Sequence, residues 1–189
     1  MRKLIQILPF IAVLVVMAAV SHAQATVGSF KLSKYKDIKT TYGADKVIHV
    51  EVTGTRVVLE RNDGTLRMTA QKIQITSQAP AAGKARIDSA IATGGVEISL
   101  TDTKQNRKAK GTSGSAEYIG DATSPKIMLK GGLVISVEEA DFTVTQKGTS
   151  GTIDLATVNG NVVIESVTLS GAEEQTEATY SSKGSTIKK

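Results

Sequence analysis

Cysteine and tryptophan are both absent from the 189 residues of this chain. Without thiols there is no disulfide brace and no thiolate nucleophile, so stability rests on burial and on backbone hydrogen bonding. Of the two histidines, His22 lies in an N-terminal apolar stretch and His49 stands alone in the run VIHVEV. One imidazole on an alternating run reads as a solvent-facing or hydrogen-bonded strand residue, not as a catalytic base or metal ligand. Acidic neighbours occur at Glu138, Glu139 and Asp141 and at Glu173 and Glu174. Adjacent strand residues point to opposite faces, so Glu138 and Glu139 do not converge as an acid–base pair would. The 17 glycines contain no G-x-x-x-x-G-K-[ST] phosphate loop. Aromatics are 4% of the chain, and base stacking could draw only on Tyr35 and Tyr42 beside Lys34, Lys36 and Lys39. The expectation is a protein that is not an enzyme, with no cofactor, no metal and no nucleic-acid partner.

The long apolar run is confined to the start: Met1-Arg2-Lys3, then a nearly unbroken greasy stretch from Leu4 to Val20, then Ser21-His22-Ala23. A basic start, an apolar middle and small residues before a cut after Ala23 have the anatomy of a secretory signal peptide. The competing reading is a retained membrane anchor, because the run approaches the roughly 18 residues of a spanning helix. Pro9 and the Ser-His-Ala site favour cleavage and export. The expected organisation is a signal over residues 1–23, a segment of uncertain structure over 24–46, and one β domain over 47–189 ending in a polar tail. The formal charge of +5 includes Arg2 and Lys3, which leave with the signal. A modest positive balance is compatible with anionic head groups and equally with simple solubility.

The remainder is organised by repetition. GTSG occurs at Gly111 and again at Gly148, each time opening a short alternating run, GTSGSAEY and GTSGTIDL. A second landmark is glycine followed by a β-branched run: TGTRVVLE, TGGVEISL, KGGLVISV and NGNVVIES, led by Gly54, Gly94, Gly131 and Gly160. Runs of about eight residues rich in Val, Ile and Thr, apolar at every second position, predict strands. The unit reads as strand, turn, strand, turn, with GTSG marking either a corner or a bend within a strand. Elastic repeats of this kind predict an elongated all-β structure, a β-solenoid or two facing sheets curled together, with one apolar face.

Three elements in succession carry a family resemblance: Ala92-Thr93-Gly94-Gly95-Val96-Glu97-Ile98, then Ala109-Lys110-Gly111-Thr112 to Ala116-Glu117-Tyr118, then Lys130 to Ile135. They resemble the OstA-like (LptA/LptC-type) family of periplasmic lipopolysaccharide transport proteins over roughly residues 48–165. The resemblance implies an elongated, twisted β-jellyroll with an open apolar groove that holds acyl chains. It implies a periplasmic location and, as partners, lipopolysaccharide or a similar lipid and the OstA-like domains of inner- and outer-membrane transport components. It also implies end-to-end self-association. The irregular spacing and the polar segment YKDIKTTYGADK depart from the family pattern.

Candidate groove residues follow from the alternation: Val57, Leu59, Ile73, Ile75, Val96, Ile98, Leu100, Leu133, Ile135, Val137, Val162 and Ile164. In TGTRVVLE the register stays open, since either Val57 and Leu59 or Arg56 and Val58 could face inward. Two function classes stand: a lipid-conducting bridge, with a membrane-anchored LptC-like component as its variant, and a structural or adhesive β-solenoid with a filled core. Unpaired edges near Lys46 to Val52 and near Val162 to Leu169, or over the final Ser181 to Ile187, would supply the joins between copies.

Overall fold

The structure is a computed structural model that describes residues 24–43, 46–78, 86–121, 124–139, 142–158, 161–171 and 178–182. The expected signal, Gly160, Glu173, Glu174 and the terminal lysines 183, 188 and 189 lie outside the described residues. Every regular element among them is a strand: β1 (Gln24–Val27), β2 (Phe30–Ser33), β3 (Asp37–Tyr42), β4 (Val47–Arg61), β5 (Leu66–Gln78), β6 (Arg86–Asp102), β7 (Arg107–Ile119), β8 (Lys126–Glu138), β9 (Phe142–Val158), β10 (Asn161–Ser170) and β11 (Ala178–Ser182). All belong to one antiparallel sheet in the order β1-β2-β4-β5-β6-β7-β8-β9-β10, with β3 also on β4 and β11 also on β9. The first and last strands do not pair, so the sheet is open. The all-β expectation therefore holds, and the arrangement is compatible with a jellyroll-like fold.

The repeat unit differs from the expected strand, turn, strand, turn. Strands β4 to β9 are 13 to 17 residues long, twice the length of the runs visible in the sequence. Gly54, Gly94 and Gly131 lie inside them rather than at turns. The ladders break register at one common level: between Thr53 and Val57, Thr69 and Lys72, Thr93 and Val96, Thr112 and Ser115, and Lys130 and Leu133. Aligned bulges of this kind bend every strand at the same height and crease the whole sheet. The backbone there is left-handed at Gly94 (φ 84°), Gly95 (62°), Gly131 (81°) and Gly132 (61°), a region side chains with a Cβ rarely enter. Both GTSG copies sit mid-strand at this crease, so the motif carries a bend and not a corner. A Cβ on Gly114 would stand 3.2 Å from the Gly131 carbonyl oxygen across the β7–β8 ladder.

The crease divides the sheet into two leaves. The first contains β1, β2, the later part of β4, the first part of β5, and so on in alternation to the first part of β9 and β11. The second contains β3, the complementary parts of β4 to β9, and β10. The leaves face each other: Phe30 of the first packs edge-on against Tyr118 of the second, with ring centroids 5.4 Å apart at 61°. An aromatic pair in this geometry adds about 0.5–1.5 kcal/mol beyond the area it buries. A single cluster of buried side chains runs between the leaves from Ala25 to Ile164. The segment 24–46, without a recognised pattern in the sequence, supplies β1, β2 and β3. The first two bury Ala25, Val27, Phe30 and Leu32 against this cluster.

Candidate functional site

The space between the leaves is lined by rows of side chains that cross the strands. In the first leaf one row reads Leu32, Leu59, Met68, Ile98, Gly111, Ile135, Gln146, each the register partner of the next. A second reads Leu66, Leu100, Ala109, Val137, Val144. In the second leaf the rows are Ile38, Val52, Ile73, Ala92, Ala116, Leu129, Gly151, Leu169 and Thr40, Val50, Ile75, Ala90, Tyr118, Ile127, Ile153, Val167. Alternation puts these residues on one side of the sheet, and the branched aliphatics among them suit a pleated surface with one buried face.

All twelve candidate residues fall on this inner face. Val57, Leu59, Ile73, Ile75, Val96, Ile98, Leu100, Leu133, Ile135, Val162 and Ile164 belong to the buried cluster, and Val137 packs against it half-buried. The open register of TGTRVVLE is settled: Val57 and Leu59 point inward, while Val58 is buried outside that cluster. Sequence reasoning passed over Met68, Ile127, Leu129, Ile153, Leu155 and Tyr118. The obstacle is a parity change at the crease. In β5 the inner residues are Leu66, Met68 and Ala70 before the bulge but Ile73 and Ile75 after it, so one alternation does not run through the strand.

Coverage is uneven along the cleft. The middle is closed, with Ile135, Leu133 and Leu129 each 1% exposed. Towards β9 and β10 the inner residues divide: Ile153, Leu155, Val162 and Ile164 stay buried, while Val137, Val144, Gln146, Val167 and Leu169 are only half-buried. The apolar lining thus continues to a lip at the C-terminal end of the sheet. Two surface grooves, of about 440 and 370 Å³, lie on the outer faces and are bordered by polar side chains, among them Arg67, Ser99 and Lys110 for the first and His49, Glu51 and Thr76 for the second.

The polar groups are accounted for locally. His49 is exposed on the outer face with Nδ1 3.4 Å from Thr76 Oγ1. Glu51 binds Lys72 and Gln74, and the hydrogen bond from Lys72, aided by Gln74 and by the charges of Lys72 and Lys39, holds its carboxyl below the usual range against the opposing effect of desolvation. Glu138 pairs with Lys110 at 3.5 Å and Glu139 with Arg107. Among the described residues no group of three or more His, Cys, Asp or Glu comes together as a metal site would require. Buried Asp102, at the end of β6, accepts the N–H groups of Lys104 (3.0 Å) and Gln105 (3.1 Å) and, from the opposite leaf, that of Ile164 (3.3 Å). No family model matches this chain, and no curated protein matches it.

Proposed function

We propose that this protein is a periplasmic lipid-conducting module that carries lipopolysaccharide or a similar amphiphile between membranes, its acyl chains held between the two leaves. The observation that supports this reading most is the aliphatic inner face, continuous from β2 to β10 and half-uncovered at the C-terminal lip. The OstA-like sequence resemblance and the creased, open sheet support it further. Export with cleavage after Ala23 belongs to the same proposal, as do partners carrying OstA-like domains, and N-terminal sequencing of the exported protein separates it from an anchored LptC-like form.

The energetics suit a conduit. Each methylene leaving water contributes about 0.8 kcal/mol, so a tail of a dozen carbons is held by roughly 10 kcal/mol relative to water and by almost nothing relative to a bilayer. An interior of Val, Ile and Leu neither rejects nor traps such a tail. Direction then comes from an energy-consuming partner at the inner membrane. A second reading, a filled-core scaffold, is favoured by one observation: the middle rows are already buried against each other.

Site-specific photo-crosslinking decides between them. A photoreactive residue at Val137 or Val144 is expected to capture lipid in cells, and one at the outward-facing Thr112 is not. Capture of protein alone from Val137, Val144 and Ile135 would remove the transport reading and leave the scaffold.

A further inference from the structure

The two leaves overlap out of step. Phe30 of β2 meets Tyr118 of β7, and the turn between β6 and β7 meets Ile164 of β10, so each crossing joins a strand to one three or four places further along the sheet. The first-leaf parts of β8 and β9 therefore extend past β10, the last strand of the second leaf among the described residues. That offset leaves Val137, Val144 and Gln146 half-buried. The turn at residues 102–107 makes the last crossing before this lip. Asp102 closes β6 and Arg107 opens β7, at the first-leaf strand ends remote from the bulges, so the crossing lies on the side of the cleft away from the crease.

What bridges the cleft here is polar. Asp102 is 2% exposed; its Oδ1 accepts the N–H groups of Lys104 (3.0 Å) and Gln105 (3.1 Å), and its Oδ2 accepts that of Ile164 at 3.3 Å. Asn106, left-handed at φ 49°, returns the chain so that Arg107 pairs with Asp102 in the ladder. Arg107 Nη1 donates to the Ile164 carbonyl at 3.2 Å, while Nε is held 2.7 Å from Glu139 Oε1. Lys104 Nζ donates to the Val158 carbonyl at 3.3 Å. The other crossing differs in kind, since Phe30 and Tyr118 meet as rings inside the buried cluster. Parting the rings exposes apolar area, whereas parting the polar groups exchanges their hydrogen bonds for bonds to water, a much smaller net loss. The seam between the leaves is thus weakest at its polar end.

We infer that Asp102, Lys104 and Arg107 form a latch that holds the lateral seam of the cleft shut beside the lip, and that its release lets the leaves part there to admit an acyl chain sideways. Gating of cargo rests on the lipid-conducting reading; the latch itself does not. The family resemblance implies a groove that stands open. This cleft instead has a closed side, joined by three side chains and opposite a crease whose Gly95 and Gly132 meet no neighbour where a Cβ would stand.

The absence of cysteine makes one introduced thiol a specific reporter of opening. Ala109→Cys places it on the inner face of the first leaf close to Arg107, and Ala92→Cys places it beside the crease; both alanines are fully buried. In the full chain carrying Lys104→Gln with Arg107→Gln, the Ala109→Cys thiol is expected to react with a maleimide about tenfold faster or more, as loss of bonds from charged donors implies, while the Ala92→Cys thiol keeps its rate. An unchanged rate for Ala109→Cys, or an equal rise for both thiols, overturns the latch. Should the double variant not fold, Lys104→Gln alone, at an exposed side chain, must quicken the Ala109→Cys reaction by a smaller factor, or the latch is overturned. Stopped-flow uptake of a fluorescent fatty acid separates latch from cargo. Faster uptake by the released chain is expected; equal rates overturn the gating, and no uptake by either chain removes the lipid reading while the latch stands.

Discussion

The crease makes a sharp demand on two adjacent glycines. Gly94 and Gly95 both have positive φ, yet their surroundings differ. A Cβ on Gly95 meets nothing within 4 Å, whereas one on Gly94 stands 2.8 Å from Gln71 Oε1 and 2.9 Å from Gln71 Cβ. The Oε1 atom can swing aside, but the Cβ moves only with the β5 backbone. For Gly95→Ala the left-handed strain of about 1–2 kcal/mol is partly offset by the roughly 0.4–1 kcal/mol gained when the unfolded chain loses freedom, a net cost of about 1 kcal/mol. Gly94→Ala adds an overpacking penalty of about 1–3 kcal/mol, for a net cost of about 2–4 kcal/mol. Urea unfolding of the two variants should separate their unfolding free energies by about 2 kcal/mol at unchanged m-value, or their Tm values by about 4–8 °C for a domain of this size. Gln71→Gly in the Gly94→Ala background removes the obstructing Cβ and should recover about 1–2 kcal/mol as a coupling energy in a double-mutant cycle. Equal costs at the two glycines, or no coupling to Gln71, would refute the reasoning that ties the crease to this contact.

The closed middle and half-covered lip of the cleft predict unequal truncation costs. Ile135→Ala should lose about 2–5 kcal/mol in urea unfolding and Val137→Ala about 1 kcal/mol or less; equal losses would mean the lip is as tightly packed as the middle. Burial raises the pKa of the Tyr118 hydroxyl, and the nearby cations Arg61 and Arg86 only partly oppose it. A raised folded pKa contributes stability that is present below the unfolded value near 10 and lost as pH rises past it, so Tyr118→Phe should flatten the alkaline loss of Tm; an unchanged slope would place the titration elsewhere. Asp63 is desolvated, but the Thr65 hydroxyl (2.6 Å) and N–H (3.0 Å) and Arg61 outweigh that burial and lower its pKa. Its contribution, about 1 kcal/mol at most in this part-exposed setting, is present above the ordinary carboxylate pKa and fades as pH falls through and below it, and Asp63→Asn should remove that component from the acid limb of a pH–Tm curve.

The alternation of Val, Ile and Leu made the inward face legible in TGGVEISL, KGGLVISV and NGNVVIES, while TGTRVVLE, with apolar residues at Val57, Val58 and Leu59 in succession, stayed open. The crease was not legible. A glycine before a β-branched run reads locally as a turn, and only the neighbouring strands show that TGGVEISL continues unbroken from RIDSAIA. Parity hid more. Where the bulge inserts one residue, as in β5 and β7, the inner set switches from even to odd or back, and a single pattern fits only half of the strand. In β6 and β8 the two consecutive glycines preserve the parity, and those are the strands whose inner residues beyond the glycines were easiest to name. β3 was missed because Asp37–Tyr42 brings a single aliphatic, Ile38, to the inner face and is otherwise Asp, Lys, Thr and an exposed Tyr42, as suits an edge strand that packs little. The contact between Asp102 and Ile164 is invisible in any local window, since the two are 62 residues apart.

Under the proposed function, the rows of aliphatic side chains do not decide whether a tail enters. Moving a methylene from a bilayer to a Val- and Leu-lined interior exchanges one hydrocarbon contact for another, and separating the leaves to admit it exchanges contacts between side chains for contacts with the tail. The balance falls to the terms that do not cancel, the bending of the crease and the polar contacts that span the cleft. Gly95 and Gly132, with open space where a Cβ would stand, leave the crease little steric resistance to a change of angle. The bonds from Asp102, Arg107 and Lys104 to Ile164 and Val158 are specific and few, and they join the two leaves. A conduit built this way keeps its interior indifferent to cargo and places control in the crease and in the polar contacts that join its leaves.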